Sequence, residues 1–240
     1  MASNRPVLFV DIDNCLYPKS TRILHMMQRN IEKYFETHLE LPLEDAKALH
    51  RKYYTQYGLA LEGLVRHHTV DPLDFNAKVD DALPLEDVLK PDPKLRELLE
   101  DADKTKVRLW LFTNAYVNHG KRVVRLLGVD DLFEGITFCD YGASEFIAKP
   151  RPAMYEKAMR EAGVNSVQDC YFVDDSHLNA KKAAEFGWTA VHLVEASDPL
   201  PAEQAAQHQI RGLEELRDVF PQFFKTTGSA GSTGNPVKDS

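Results

Sequence analysis

Cysteine is scarce. The 240-residue chain carries three, Cys15, Cys139 and Cys170. An odd count with no repeated spacing argues against a disulfide framework or a cysteine-based zinc site and fits a reducing compartment. Concentrated positive charge is missing too. Lys and Arg number 29 against 37 Asp and Glu, a formal net charge of −8, and no basic run occurs. Binding a phosphate backbone needs a clustered basic face, so no nucleic-acid partner is expected. No apolar stretch approaches the roughly 20 residues that span a bilayer. The opening MASNRP is polar, and the apolar run behind it is cut short by Asp11, unlike a secretory signal. No membrane partner is expected. A cytoplasmic address is, with a nuclear pool left open. Oligomeric state is not legible.

What the chain does have is 43% hydrophobic residues, enough for a substantial core, and two changes of rhythm. Val7–Val10 reads as a short buried strand. From about Ser20 to about Lys104 the periodicity is helical, and four or five helices are expected with no strand among them. Asp71-Pro72 and Asp92-Pro93 each read as an N-cap followed by proline at the first helical position. After Lys106, strands and helices alternate. Strands are expected at Val107–Asn114, Gly135–Cys139, Cys170–Asp175 and Thr189–Val194. Helices are expected at about Asn118–Leu127, Pro152–Ala162 and Leu178–Phe186, each closed by a glycine. Such alternation implies an α/β fold with a doubly wound parallel sheet, here carrying an all-helical insertion after strand 1. The expected division is a core of residues 5–19 and 105–225, a helical insertion of 20–104, and a Gly/Ser/Thr-rich disordered tail of 226–240.

Three strands end in polar residues: Val7–Val10 in Asp11-Ile12-Asp13, the second in Thr113-Asn114, and CYFV in Asp174-Asp175. In doubly wound sheets ligands bind at the carboxyl ends of the strands, so four carboxylates are expected to crowd one edge. Like charges a few ångströms apart raise each other's pKa, and a hard cation with oxygen ligands relieves them; Mg²⁺ suits carboxylates that also meet a phosphate. Lys149, just before a helix, adds a fixed positive charge. Each piece alone has a plain structural reading: turn chemistry for Asp11 and Asp13, a solvated lysine for Lys149, a helix cap for Asp174-Asp175-Ser176. Their order, each at its own strand end or helix start, favours a site.

The set DIDNCLY, LFTNA, IAKP and FVDDS resembles the four motifs of the haloacid dehalogenase (HAD) superfamily of phosphatases, over about Val7 to Val194. Longer stretches, among them DIDNCLYPKSTRI, YYTQYGLALEGLVRHH and LWLFTNAYVNHGKRVVRLLG, are similar to fungal pyrimidine 5′-nucleotidases. The resemblance implies a Rossmann-like core with a helical cap, and a Mg²⁺-dependent phosphatase hydrolysing UMP and CMP through an aspartyl-phosphate. It implies that Asp11 is the nucleophile and Asp13 the general acid and base. Thr113, Asn114, Lys149 and the Asp11–Asp13 loop with Ile12 would hold the phosphoryl group. The metal would fall to Asp11, Asp13, Asp174 and, through water, Asp175. The family's dehalogenases lack the second carboxylate, so Asp13 favours phosphatase; mutases keep both. Asn14 and Cys15 stand where the superfamily commonly has Gly and a β-branched residue, and Cys15 reads as packing. Cap residues Arg22, Tyr53, Tyr54, Tyr57, His67 and His68 are candidate contacts to the leaving group. The alternatives are another small phosphometabolite as substrate and a catalytically silent binding module.

Overall fold

The computed structural model describes residues 5–225; the tail expected at 226–240 lies outside them. In chain order the strands are β1 (Val7–Val10), β2 (Arg108–Phe112), β3 (Gly135–Thr137), β4 (Cys170–Asp174), β5 (Thr189–Leu193) and β6 (His208–Ile210). Between β1 and β2 lie α1 (Ile23–His38), α2 (Leu43–Tyr57), α3 (Ala60–His67), α4 (Pro72–Val79), α5 (Leu85–Val88) and α6 (Pro93–Asp101). The later helices are α7 (Val117–Leu127), α8 (Pro152–Ala162), α9 (His177–Phe186) and α10 (Leu216–Val219). The sheet is parallel throughout, in the order β3-β2-β1-β4-β5-β6. The chain builds outward from β1 to β3, then returns to β4 on β1's other side. That reversal makes the carboxyl ends of β1 and β4 the topological switch point, where such sheets bind ligands.

Alternation along the strands sends successive side chains to opposite faces. Leu8, Val10, Leu109, Leu111 and Val173 pack with Leu95, Leu98 and Leu99 of α6 and Val123, Val124 and Leu127 of α7. Val7, Phe9, Trp110, Phe112 and Phe172 pack with Met154, Tyr155 and Ala158 of α8 and with Trp188, whose ring stacks on Phe9 at 4.6 Å. Covering on both faces is the condition under which a parallel sheet is stable. A third cluster joins Tyr34, Phe35, Tyr53, Leu61, Leu64, Phe75 and Val79 of α1–α4 to Tyr141, Phe146 and Ala148 from the loop before α8. Asp71 and Asp92 cap α4 and α6 as expected, accepting from Leu73 N at 2.9 Å and from Lys94 N and Leu95 N at 2.9 and 3.1 Å. No helix among the described residues is long and apolar enough to cross a membrane.

Three expectations need correction. The insertion has six α-helices, not four or five; short α5 offers too few residues for periodicity to register. β6 was not foreseen, because its sequence, His208-Gln209-Ile210, pairs on one side only and buries only its isoleucine. The strands stop one to two residues early, so Thr113, Asn114 and Asp175 lie in the loops just past them.

Candidate active site

Backbone pairing brings the pieces together. The Asp11 amide donates to Val173 O at 3.0 Å, extending β1 along β4, and the Thr113 amide donates to Thr137 O at 3.0 Å. Asn14 then turns the chain with φ 57°, a left-handed conformation that Asn tolerates better than most residues and that glycine adopts freely. Cys15 is buried behind this turn, in the core cluster.

Lys149 is the hub. Although it lies in a loop, its side chain is 1% exposed, and Nζ donates to Asp11 Oδ1 at 2.6 Å, Asp174 Oδ2 at 2.7 Å and Phe112 O at 2.8 Å. The solvated-lysine reading therefore fails. Burial works against its charge, but Asp11 and Asp174 outweigh it and hold the ammonium above its usual range. Asn114 explains how a loop residue reaches this place. Its amide donates to Lys149 O at 2.8 Å and accepts from Lys149 N at 2.7 Å, so the Asn114 side chain clamps the lysine backbone.

Asp11, Asp174 and Asp175 each offer a carboxylate oxygen within 4.8 Å of the others. Burial drives the Asp11 carboxyl well above the ordinary range, only partly offset by Lys149, and Asp174, Asp175 and Asp13 add repulsion. Asp175 is pushed up to about 7, by burial first and Asp174 second. One lysine thus leaves this cluster under-neutralised, which is the condition a hard divalent cation relieves. Ser176, rather than either aspartate, caps α9, accepting from Asn179 N at 3.4 Å. Asp174 is instead oriented by Ser176 N at 2.7 Å and Asn179 Nδ2 at 3.1 Å.

Asp13 stands apart from the lysine. Its Oδ1 lies 2.5 Å from the Tyr17 hydroxyl and 2.7 Å from His119 Nε2. Burial favours its neutral form, but His119 and Tyr17 prevail and hold its pKa below the ordinary value. The sequence reading missed both partners. Their only signals are Tyr17's place four residues beyond Asp13 and His119's in the first turn of the helix after LFTN. Thr113 is 1% exposed, and its hydroxyl accepts from Ala115 N at 3.0 Å. Ile12 is fully buried and its side chain belongs to the core cluster.

The cap candidates divide. Tyr53 is core, 4% exposed and bonded to His68 Nε2 at 2.9 Å. Tyr57 pairs with His67 Nε2 at 2.6 Å and lies under Arg66. Neither meets the carboxylates. Tyr54 is the exposed tyrosine of the set, at 61%. Arg22 is exposed at the start of α1 with φ 59°, and no hydrogen bond or ion pair joins its side chain to another of the described site residues.

A buried cation bridging two strand-end carboxylates, with a third carboxylate separately held beside them, suits attack by one carboxylate and proton transfer by another. Comparison with known proteins identifies the family. Over 200 residues the chain is 43% identical to Phosphate metabolism protein 8 of Saccharomyces cerevisiae, covering 80% of this chain and 62% of that protein; the chain therefore spans less than two thirds of that relative's length. Its fold is similar to a HAD phosphatase from Thermococcus onnurineus (TM-score 0.58, 18% identity, 90% of this chain and 97% of that one). It is also similar to the HAD-hydrolase YfnB from Bacillus subtilis bound to magnesium (TM-score 0.60, 14% identity, 90% and 98%). The family model of haloacid dehalogenase-like hydrolases matches residues 6–187, from the strand before Asp11 to the glycine that closes α9, and the chain belongs to that family.

Proposed function

We propose that this protein is a Mg²⁺-dependent phosphatase that hydrolyses pyrimidine nucleoside 5′-monophosphates. The observation that carries the phosphatase reading is the division of labour between the two carboxylates of Asp11-Ile12-Asp13: Asp11 on the lysine, Asp13 on Tyr17 and His119. The pyrimidine preference rests on the resemblance of the longer stretches to fungal pyrimidine 5′-nucleotidases, and on exposed Tyr54 as a surface on which a base can stack. Base–aromatic stacking is worth about 1–3 kcal/mol.

In this reading Asp11 attacks phosphorus and forms an aspartyl-phosphate while the P–O bond to the ribose 5′-oxygen breaks. Asp13 gives that oxygen its proton, then takes one from the water that releases phosphate. Thr113, the Asn114 amide and Lys149 hold the phosphoryl oxygens as their charge redistributes. Asp11, the Asp13 carbonyl and Asp174 would hold the metal, with Asp175 acting through water; the under-neutralised cluster around Asp11 fits such an ion. When bound, Mg²⁺ supplies the positive charge that lets an anionic carboxylate approach an anionic phosphoryl group. The cap in this reading is about residues 20–80 rather than the expected 20–104, because Leu85, Leu89 and the leucines of α6 belong to the cluster under the sheet.

Phosphate release from UMP, CMP, AMP, GMP, sugar phosphates and lysophosphatidate, with Mg²⁺ and with EDTA, tests this. The expected result is metal-dependent release from UMP and CMP that Asp11→Asn abolishes. Release from other compounds alone sinks the pyrimidine reading and keeps the chemistry. No release from any compound by folded protein sinks both.

A further inference from the structure

The two groups on Asp13 share one oxygen. Tyr17 Oη and His119 Nε2 both meet Oδ1, at 2.5 and 2.7 Å, while Oδ2 takes no hydrogen bond from the described residues. The donors are walled in: the His119 side chain is 0% exposed and Tyr17 3%, whereas the Asp13 side chain keeps 22% of its surface open. The wall is tight where it matters. α7, which carries His119, has Gly120 against the loop that bears Asp13; a Cβ there would meet Ile12 Cδ1 at 3.1 Å and Ile136 Cδ1 at 2.8 Å. With both donors on Oδ1, Oδ2 is the oxygen left to meet a ligand, so a free rotor becomes a group with one assigned working atom.

We propose that His119 and Tyr17 are positioning residues that assign Asp13 Oδ2 to the leaving-group oxygen. The inference rests on the reading of Asp13 as the general acid. Nε2–H of the histidine and the phenolic O–H of Tyr17 donate to Oδ1 and fix the plane of the carboxyl. In the substrate complex that turns over, Oδ2 holds the proton, which passes to the departing ribose oxygen as the P–O bond breaks and leaves Asp13 the carboxylate that both donors favour in the free enzyme. Neither residue touches substrate; each acts through Asp13. An ångström of misplacement at a reacting group can cost about 100-fold in rate, and a general acid supplies about 10²–10⁴-fold.

The test uses the leaving group. The 5′-oxygen of a nucleotide must be protonated as it leaves, whereas p-nitrophenolate departs without a proton. For a reaction through a covalent intermediate, kcat/KM reports only the steps through the first irreversible one, so the second, water-activating role of Asp13 does not enter. The full chain and its Tyr17→Phe, His119→Ala, His119→Gln and Asp13→Asn variants are compared on UMP and on p-nitrophenyl phosphate with Mg²⁺, alongside their thermal unfolding. If UMP is not turned over, the alkyl phosphomonoester that is takes its place. Tyr17→Phe and His119→Ala are expected to lower kcat/KM on the nucleotide by about 10–100-fold, mostly in kcat, and on p-nitrophenyl phosphate by less than about threefold. His119→Gln, whose amide can reach the place of Nε2, should recover much of the loss. Equal losses on both substrates, or no loss, overturn the proposal. Should His119→Ala fail to fold, Tyr17→Phe, which keeps the ring, decides alone. Asp13→Asn separates the two levels. If it turns over the nucleotide normally, the acid reading of Asp13 falls; if it is selectively impaired while the Tyr17 and His119 variants match wild type, only the positioning proposal falls.

Discussion

Lys149 is held in place by the charges it neutralises. It meets Asp11 and Asp174 with side chains 1%, 9% and 1% exposed. Removing one partner of a buried, hydrogen-bonded ion set leaves uncompensated charge and costs about 3–5 kcal/mol. Lys149→Met, which keeps the stem, is therefore expected to lose about that much stability in urea unfolding at neutral pH without metal, and at least about 100-fold in kcat. Asp80 is the opposite case, a buried carboxyl with no cation on it. It is 3% exposed, and burial raises its pKa to about 6 against an ordinary 3.8, with Asp13 and Asp81 adding to the rise and His119 opposing it. Between those values the folded protein holds a proton that the unfolded chain has released, so stability falls as pH rises from about 4 through 6. The difference is worth about 3 kcal/mol. Asp80→Asn should gain relative to wild type as pH rises, by up to that amount; denaturant titrations at pH 4 and pH 8 check the sign. At this scale the sequence was legible where a polar residue interrupts an apolar strand, as at Asp11, Thr113 and Asp174. It was silent on His119, because a lone histidine 106 residues from Asp13 carries no local signal, and on the Asn114 side chain, whose work on Lys149 depends on a loop closing.

Among the elements, the legible ones had a strong period and clear punctuation. α8 and α2 lie where their glycine stops and apolar spacing put them. α6 is helical as read, yet its leucines face the sheet rather than the cap, and no pattern within its nine residues says which apolar surface they will meet. The cap is tied down by close packing of α2 on α3. A Cβ at Gly63 would lie 2.4 Å from Cγ of Tyr53, 2.6 Å from its Cβ and 2.8 Å from Cδ1. These are the base of a buried side chain and not a flexible tip, so the helices must part to admit a methyl group. Overpacking of this kind costs about 1–3 kcal/mol, which outweighs the roughly 1 kcal/mol that alanine gains over glycine within a helix. Gly63→Ala should be destabilised in urea unfolding; an unchanged or raised midpoint would show that α2 and α3 separate freely. α3 is also joined to the segment after Lys149, through Glu62, a side chain 2% exposed that bonds both Arg66 and Arg151. The cap helix and the lysine loop are thus linked by an ion pair that local periodicity could not forecast.

For the molecule as a whole, the acidic edge of the sheet sets how stability depends on metal and pH together. Asp175 at about 7 and Asp11 well above the ordinary range bind protons in the folded state that the unfolded chain releases near pH 4. In the metal-free protein these two groups therefore contribute stability that is lost as pH rises from about 4 through 7. If these carboxylates hold Mg²⁺ as proposed, the ion competes with those protons, since a carboxylate must ionise to bind it. Its apparent affinity should thus rise from pH 6 to pH 8, with proton release on binding at the lower pH. Ligand binding to the folded state alone stabilises by about 2.7 kcal/mol at a concentration 100 times the dissociation constant. Thermal unfolding with and without Mg²⁺ should accordingly show a small rise in Tm at pH 6 and a larger one at pH 8. Asp174→Asn should remove the rise at both. A Mg²⁺ shift that is equal at the two pH values, or that survives Asp174→Asn, would place the ion away from these carboxylates and leave the raised pKa values of Asp11 and Asp175 without a metal to explain them.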